Sequence, residues 1–300
     1  MPIIELAEVT KKYDTKVAVS NLSLSIESGQ ILSLVGPNGA GKTSSIRMMM
    51  GITIPDSGIV KLFNKPFTRS SLDRVGYLPE ERGLYKQMGV LDQIIFFGQM
   101  HGLTSNEARL RAFFWAERMD ITGALHKKTR ELSKGMQQKI QFITSLLHEP
   151  GLVIMDEPTS GLDPINAKLL QEVLLELKRG GAAILFSTHR MDQVEKLCDS
   201  ICLINNGIPV LAGTLSEIKG AYKRTRVIIE FTGSSAFLNS AEIEKATTCY
   251  GHVDVELKPH GNAQKLLHEA AAVATINLFE LVGPSLEEIY IQTVKGSMLA

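Results

Sequence analysis

The run Gly36-Pro37-Asn38-Gly39-Ala40-Gly41-Lys42-Thr43 holds three glycines, a lysine and a hydroxyl at the spacing that grips a phosphate chain. Its glycines let the backbone curl so that successive N–H groups point at phosphate oxygens, and the helix that follows adds the positive end of its dipole. Lys42 is placed to reach those oxygens and Thr43 to ligate Mg²⁺. The binding set predicted from this loop runs Gly36, Pro37, Asn38, Gly39, Ala40, Gly41, Lys42, Thr43 and Ser44. Further on, Asp156 and Glu157 close the apolar run Leu152-Val153-Ile154-Met155. In an open parallel sheet such a strand end lies beside the ligand crevice. Asp156 then suits the Mg²⁺ shell, directly or through water, and Glu157 suits a general base that polarises an attacking water.

Other residues extend this chemistry. Leu132-Ser133-Lys134-Gly135-Met136 opens a second helix about twenty residues before the acidic strand. Ser133 and Gly135 suit a second phosphate contact, although Ser133 equally suits a plain N-cap. The nearby Ser160-Gly161-Leu162-Asp163 and the acidic strand favour phosphate. One nucleotide needs one phosphate loop, so a second phosphate-suited helix start implies that two chains share two nucleotides. His189 follows the apolar strand Ile184 to Phe186 by a Ser187-Thr188 link, in reach of a γ-phosphate or the attacking water, or it is a structural histidine. Tyr13 offers a face for a purine ring, and Glu80, after the strand Val75 to Leu78, a carboxylate for Mg²⁺ or water. A solvated loop glutamate beside Glu81 and Arg82 is the plainer account of Glu80.

The elements that must position these groups follow from periodicity. Ile3 to Val9 and Leu22 to Ile26 alternate as strands around an expected turn at Lys11-Lys12-Tyr13-Asp14. Ile31 to Val35 is a continuous apolar strand running into the phosphate loop, and Lys42 to Met50 is the helix behind it, with Ile46, Met49 and Met50 inward. Strands are expected at Ile59 to Phe63 and Val75 to Leu78. Helical patterns run from Val90 to about Met119, with Ile94, Phe97, Phe113 and Trp115 among the apolar positions, and through Met136, Ile140, Ile143 and Leu147. A helix from Pro164 to Lys178 and the strand Ala183 to Ser187 complete this part. After Gly220 the character changes. Arg226 to Phe231 and Val253 to Leu257 read as strands, and Ser285-Leu286-Glu287-Glu288 as a capping box.

With Lys+Arg 32 against Asp+Glu 32 the formal charge is zero, which argues against a nucleic-acid partner. Three cysteines, Cys198, Cys202 and Cys249, are too few and too irregular for a disulfide framework. Cys198 and Cys202 lack a second Cys/His pair at ligand spacing and read as buried thiols. The start Met1-Pro2-Ile3-Ile4-Glu5 carries no signal pattern, and the apolar runs fall short of the ~20 residues of a membrane span. Work at a membrane would need a partner.

In this order the motifs resemble the nucleotide-binding subunit of an ATP-binding cassette (ABC) transporter, over roughly residues 3 to 220. The resemblance assigns Tyr13 to adenine stacking, Leu132 to Met136 to the signature, Ser160 to Asp163 to a dimer-contact loop and His189 to a switch. It implies an α/β fold: a phosphate-loop core with a mixed, mostly parallel sheet, an antiparallel β subdomain, a helical subdomain and a small C-terminal α+β domain. It divides the chain into an ATPase domain at 1–220, with a helical insert at about 85–135, and an accessory domain at 221–300. ATP and Mg²⁺ are the implied ligands, a second cassette (identical or not) and separate membrane permease subunits the implied partners, and the cytoplasmic membrane face the implied location. Unassembled chains would reside in the bacterial cytoplasm. Three positions depart from the family pattern: Glu80 replaces a glutamine, Lys134 a glycine and Met136 a glutamine. Glu80 would hold a metal more firmly, or be protonated part of the time. Gly76 to Tyr85, Lys134 and the C-terminal domain resemble a bacterial export branch, with relatives assigned to sodium or drug extrusion. A soluble cassette ATPase acting on ribosomes or DNA is the alternative, weakened by the single phosphate loop and the absence of sustained heptads or basic excess. A regulatory module that binds nucleotide without turnover is a third.

Overall fold

Ile4, Leu6 and Val9 are buried along β1 (Pro2–Tyr13), while their polar neighbours stay accessible, as a strand covered on one face requires. β2 (Lys16–Glu27) pairs antiparallel with it, from Pro2↔Glu27 to Tyr13↔Lys16. Lys11, Lys12 and Tyr13 therefore belong to the strand, not to the expected turn, which shrinks to Asp14 and Thr15. Asp14 takes the left-handed conformation (φ 50°) that a tight hairpin demands and that aspartate tolerates. The computed structural model describes residues 1–81, 83–222 and 224–297. Arg82, read above as part of the loop after Leu78, lies outside them.

β3 (Ile31–Val35) is buried along its whole length and leads through the glycine-rich loop into α1 (Lys42–Met49), which buries Ile46, Met48 and Met49. β4 (Ser57–Leu62) and β5 (Lys65–Pro66) complete an antiparallel sheet of order β2-β1-β4-β5. β6 (Val75–Leu78) then joins the main sheet. A Cβ on its Gly76 would lie 2.1 Å from the Ser145 carbonyl oxygen, so glycine is what lets a helix pack this close to the strand. The helical insert is two helices, α2 (Val90–Met100) and α3 (Ser105–Arg118). Thr104 and Glu107 form a reciprocal capping box that starts the second. α3 buries Ala108, Ala112 and Ala116, while Phe113 and Phe114 face out, so Phe113 is no part of the core. α4 (Lys134–Leu146) packs Ile140, Phe142, Ile143 and Leu146 into that core.

β7 (Leu152–Asp156) is followed by α5 (Pro164–Arg179), capped by Asp163, with proline in its first turn and Lys178 and Arg179 in its last. β8 (Ala183–Thr188), α6 (Met191–Leu197), β9 (Ser200–Asn205) and β10 (Ile208–Thr214) follow. The main sheet runs β10-β9-β3-β8-β7-β6, parallel from β6 to β9 and antiparallel only at β10. The loops after β3, β7 and β8 thus leave the same edge, side by side. Cys202 is buried in β9 and Cys198 packs against the core before it.

The chain divides into two compact units, Met1–Leu215 and Ser216–Ala300, joined through α7 (Leu215–Gly220). In the second, β11 (Arg226–Gly233), β12 (Ile243–Cys249), β13 (His252–Leu257) and β14 (Ala274–Val282) form an antiparallel sheet of order β12-β13-β11-β14. Val227, Ile229, Val253 and Val255 bury one face of it together with Leu266 and Ala270 of α8 (Ala263–Val273). α9 (Leu286–Ser297) begins with the expected capping box: Ser285 N–H donates to Glu288 Oε2 (2.7 Å), and Glu288 N–H to Ser285 Oγ (3.2 Å).

One part-buried pair gives the first unit a sensitivity to acid. The rings of His101 and His148 stack with centroids 3.8 Å apart. His148 Nε2 meets the Val75 carbonyl at 3.2 Å, and its Nδ1 is buried without a partner. Burial, then the neighbouring His101, push His148 down to about 4; the Val75 carbonyl opposes this and Arg111 adds to it. His101 is lowered by burial against the pull of Asp73. The unfolded chain therefore binds a proton at His148 that the folded chain refuses between pH ~6.5 and ~4. Stability is flat above that window and falls as pH drops through it, by up to about 3 kcal/mol from this site. Thermal unfolding followed by Trp115, the single tryptophan, should show that loss, and His148→Gln should remove most of it. An unchanged acid slope in His148→Gln would assign the effect elsewhere.

Candidate nucleotide site

The loop after β3 is shaped by positions that admit only glycine. Gly36 (φ 157°) would place a Cβ 2.2 Å from the Ile204 carbonyl oxygen, and Gly41 (φ 110°) one 2.3 Å from that of Ala18. Ala40 N–H donates to Pro37 O (3.2 Å), and Ala40 O accepts from Gly207 N–H (2.8 Å), fastening the loop to its surroundings. Lys42 is buried and its ammonium donates to Gly36 O (2.7 Å) and Pro37 O (3.1 Å). Burial draws its pKa below the usual lysine value, while the charges of Glu157, Asp156 and Glu80, in that order, pull it back up.

Asp156 and Glu157 leave β7 at the same edge, and Ser187 on β8 organises both. Its hydroxyl donates to Asp156 Oδ1 and accepts from Glu157 N–H (3.1 Å). The Ser187 carbonyl takes the same N–H at 3.2 Å. Glu157 sits in the left-handed region (φ 50°), a sparsely populated conformation for a glutamate, held by these bonds. Its Oε1 lies 2.8 Å from His189 Nδ1. The Glu157 side chain is 11% exposed and the His189 ring 58%, so the pair spans from the interior to solvent. Asp156 Oδ2 is buried with no hydrogen-bond partner among the described residues. An acceptor left bare in the interior is costly unless a cation meets it, and Thr43 and Glu80 bring further oxygen ligands to the same place.

These groups surround a cleft of about 450 Å³ lined by Tyr13, Lys16, Ala18, Asn38, Gly39, Gly41, Lys42, Thr43, Ser44, Glu80, Asp156 and Glu157. Gly36, Pro37 and Ala40 are not in the lining; they shape the loop beneath it. His189 reaches the cleft through Glu157. Ser133 and Gly135 do not line it: Ser133 is exposed and caps α4 through Met136 N–H (3.2 Å). A Cβ on Gly135 would meet only ordinary contacts, the nearest Leu162 Cδ2 at 3.8 Å, so nothing among the described residues demands glycine there.

Sequence reasoning passed over the residues that hold this arrangement. Ser187 was read only as a link to His189, and its double role needs the register of β7 against β8. On α4, Gln141 Nε2 donates to Pro79 O and Glu81 O, both at 3.2 Å, and so fixes the Glu80 loop. Gln138 Nε2 donates to Pro158 O (3.2 Å) and holds the segment after Glu157. The signal was present: Gln138 and Gln141 are polar residues three apart on a helix otherwise set in the core, where each must find a backbone partner. Thr159 Oγ1, bonded to buried Gln193 at 2.8 Å, ties the same segment to α6.

The family described as "ABC transporter" matches residues 19–160, and the "ATP-binding protein DrrA1-3-like, C-terminal domain" family matches residues 213–294. An uncharacterized ABC transporter ATP-binding protein, YhaQ of Bacillus subtilis, is 40% identical over 97% of this chain and 98% of its own. The Nod factor export ATP-binding protein I of Cupriavidus metallidurans is 36% identical over 72% of each. Among solved structures, the ATP-binding subunit of an ABC transporter superposes with a TM-score of 0.69 at 28% identity, covering 73% of this chain and 92% of that one. The chain belongs to the ABC transporter family, as an ATP-binding subunit that hydrolyses ATP.

Proposed function

We propose that the cleft between the glycine-rich loop and the end of β7 is where this subunit binds and hydrolyses ATP. The observation that carries this reading is the Glu157 carboxylate, pinned at the cleft wall by His189 (2.8 Å) and by the backbone bonds to Ser187. Tyr13 receives the adenine ring; Lys11 Nζ, 5.7 Å from the ring centroid and bonded to Asp56 Oδ1 (3.0 Å), steadies it. Gly36 to Ser44 cradle the phosphates with backbone N–H groups, and Lys42 turns from its own loop carbonyls to the phosphate oxygens. Thr43, the bare Asp156 Oδ2 and Glu80 are the ligands for Mg²⁺. When bound, the ion neutralises charge on the transferred phosphoryl group. Glu157 accepts a proton from the attacking water, and His189 orients that carboxylate. The residues 1–220 then constitute the ATPase domain, with the insert at about 85–135, and 221–300 the accessory domain.

Ser133, exposed, and Gly135, part-buried, lie away from the cleft of their own chain and serve the nucleotide of a second cassette, and the loop Ser160 to Asp163 faces the same partner. Among the described residues no helix is long and apolar enough to cross a membrane. In this reading, separate permease subunits supply the pathway. They engage the insert near α2, where Tyr85, Phe96 and Met100 are exposed and Tyr85 packs edge-on against Phe96 (6.0 Å). The subunit then works at the cytoplasmic face of the membrane. The Nod factor relative supports export as the direction.

Glu157→Gln should keep ATP affinity and lower turnover by about 10²–10⁴-fold. Unchanged steady-state hydrolysis would remove Glu157 as the base. The two-chain arrangement is tested by mixing. Lys42→Ala and Gly135→Asp chains each lack every intact composite site when alone. Mixed together they regain one, pairing the good loop of one chain with the good signature of the other. Hydrolysis should rise above the sum of the separate preparations, and no rise would place the whole site within one chain.

A further inference from the structure

Cys249, His252 and Asp254 lie in the second unit and have no part in the chemistry above. The β12–β13 hairpin turns through Tyr250 and Gly251, which puts Cys249 opposite His252 and Thr247 opposite Asp254. Cross-strand partners project to one side of a sheet, as do residues two apart on a strand. The three side chains therefore share a face, and Val253 and Val255 are buried on the other. The Cys249 sulfur, a His252 ring nitrogen and an Asp254 carboxylate oxygen all lie within 4.8 Å of one another. All three residues are part-buried, sheltered without being closed off.

Asp254 carries an independent sign. Its Oδ2 accepts from Arg226 Nη2 at 3.1 Å, and Arg226 Nη1 in turn donates to Glu288 Oε1 at 2.8 Å. The other oxygen, Oδ1, is buried with no partner among the described residues. Hydrogen bonding within the unit accounts for one half of this carboxylate and leaves the other half for something else.

We propose that Cys249, His252 and Asp254 bind a divalent transition-metal ion of the zinc class at the turn end of the β12–β13 hairpin. Thiolate, imidazole and carboxylate together make a borderline-soft donor set that favours such an ion over Ca²⁺ or Mg²⁺, which take oxygen ligands. Three protein ligands leave a fourth position for water or for an incoming group. Coordination forms the sulfur–metal bond in place of the Cys249 S–H bond and releases that proton to solvent. Arg226 holds Asp254 from behind, as the outer partners of metal ligands do. The other two thiols do not compete: burial pushes Cys202 up to about 12 and raises Cys198 further.

The test uses the untagged full-length chain, stripped with chelator and titrated with Co²⁺ and then Zn²⁺. One Co²⁺ per chain should give a thiolate-to-cobalt charge-transfer band in the near ultraviolet, and Zn²⁺ should displace it. Cys249→Ser should abolish that band, and His252→Ala should weaken binding, with far-ultraviolet circular dichroism and metal-free Tm equal to the parent's. Should Cys249→Ser fail to fold, Asp254→Asn carries the test: it should lower Zn²⁺ affinity in calorimetry, and unchanged affinity overturns the site. No charge-transfer band in the parent chain, or a band that persists in Cys249→Ser, also overturns it. Zn²⁺ bound equally by parent and variants would be an adventitious ion only.

Discussion

Parallel pairing of β3, β8 and β7 is the constraint on which the cleft depends. Its register sets Asp156 opposite Ser187 and Val35 opposite Thr188. That alignment brings the glycine-rich loop, the acidic pair and His189 to one edge, at one depth. A slip of one residue would turn Ser187 to the opposite face and detach it from both Asp156 and Glu157. The three strands are buried at every position, so burial drives their association, while the inward polar atoms dictate which register is tolerated. Ser33 illustrates the cost of this: buried in β3, it needs the Phe186 carbonyl, 3.2 Å away, to accept its hydroxyl proton.

Much of this was legible in the residues because the determinants are local. A continuous apolar run bounded by glycines specifies a buried strand, and the phosphate loop is written within eight consecutive residues. Asp163-Pro164 announces a helix start, and so does Ser285 with Glu288. What was not legible depends on pairing between distant segments. Tyr13 looks like a turn residue until the β1–β2 ladder is seen to run as far as Lys16. Ser187 is a link until β7 is laid beside it. The part of the first unit after His189, with α6, β9 and β10, lacks a distinctive motif, although Ile204 of β9 is what forces Gly36 to be glycine. Cys249 and His252 are unremarkable in a linear reading and become neighbours only across the hairpin.

The departures from the family pattern can be placed against this framework. Glu80 is exposed at the cleft, and its loop is gripped through the flanking carbonyls of Pro79 and Glu81, not through its own side chain. Exchange of carboxamide for carboxylate therefore leaves the scaffold intact and adds a negative charge at the cleft, which favours the protonated Lys42. Lys134 and Met136 sit in the first turn of α4. Lys134 is exposed, whereas Met136 packs partly against the core and gives its N–H to Ser133. Their backbone roles survive the change of side chain.

α4 ties these regions mechanically. Its first residue, Lys134, is exposed, its middle is locked into the core by Phe142 and Ile143, and Gln138 and Gln141 hold the segments bearing Glu80 and following Glu157. Gly76 brings β6 against the same helix near Ser145, and Lys139 reaches the Met119 carbonyl at the end of α3 at 2.8 Å. A packed helix resists bending because each buried side chain is already in contact on every side. The bonds of Gln138 and Gln141 lie about one turn apart on this helix, so one rigid element sets the spacing between the Glu80 loop and the segment after Glu157.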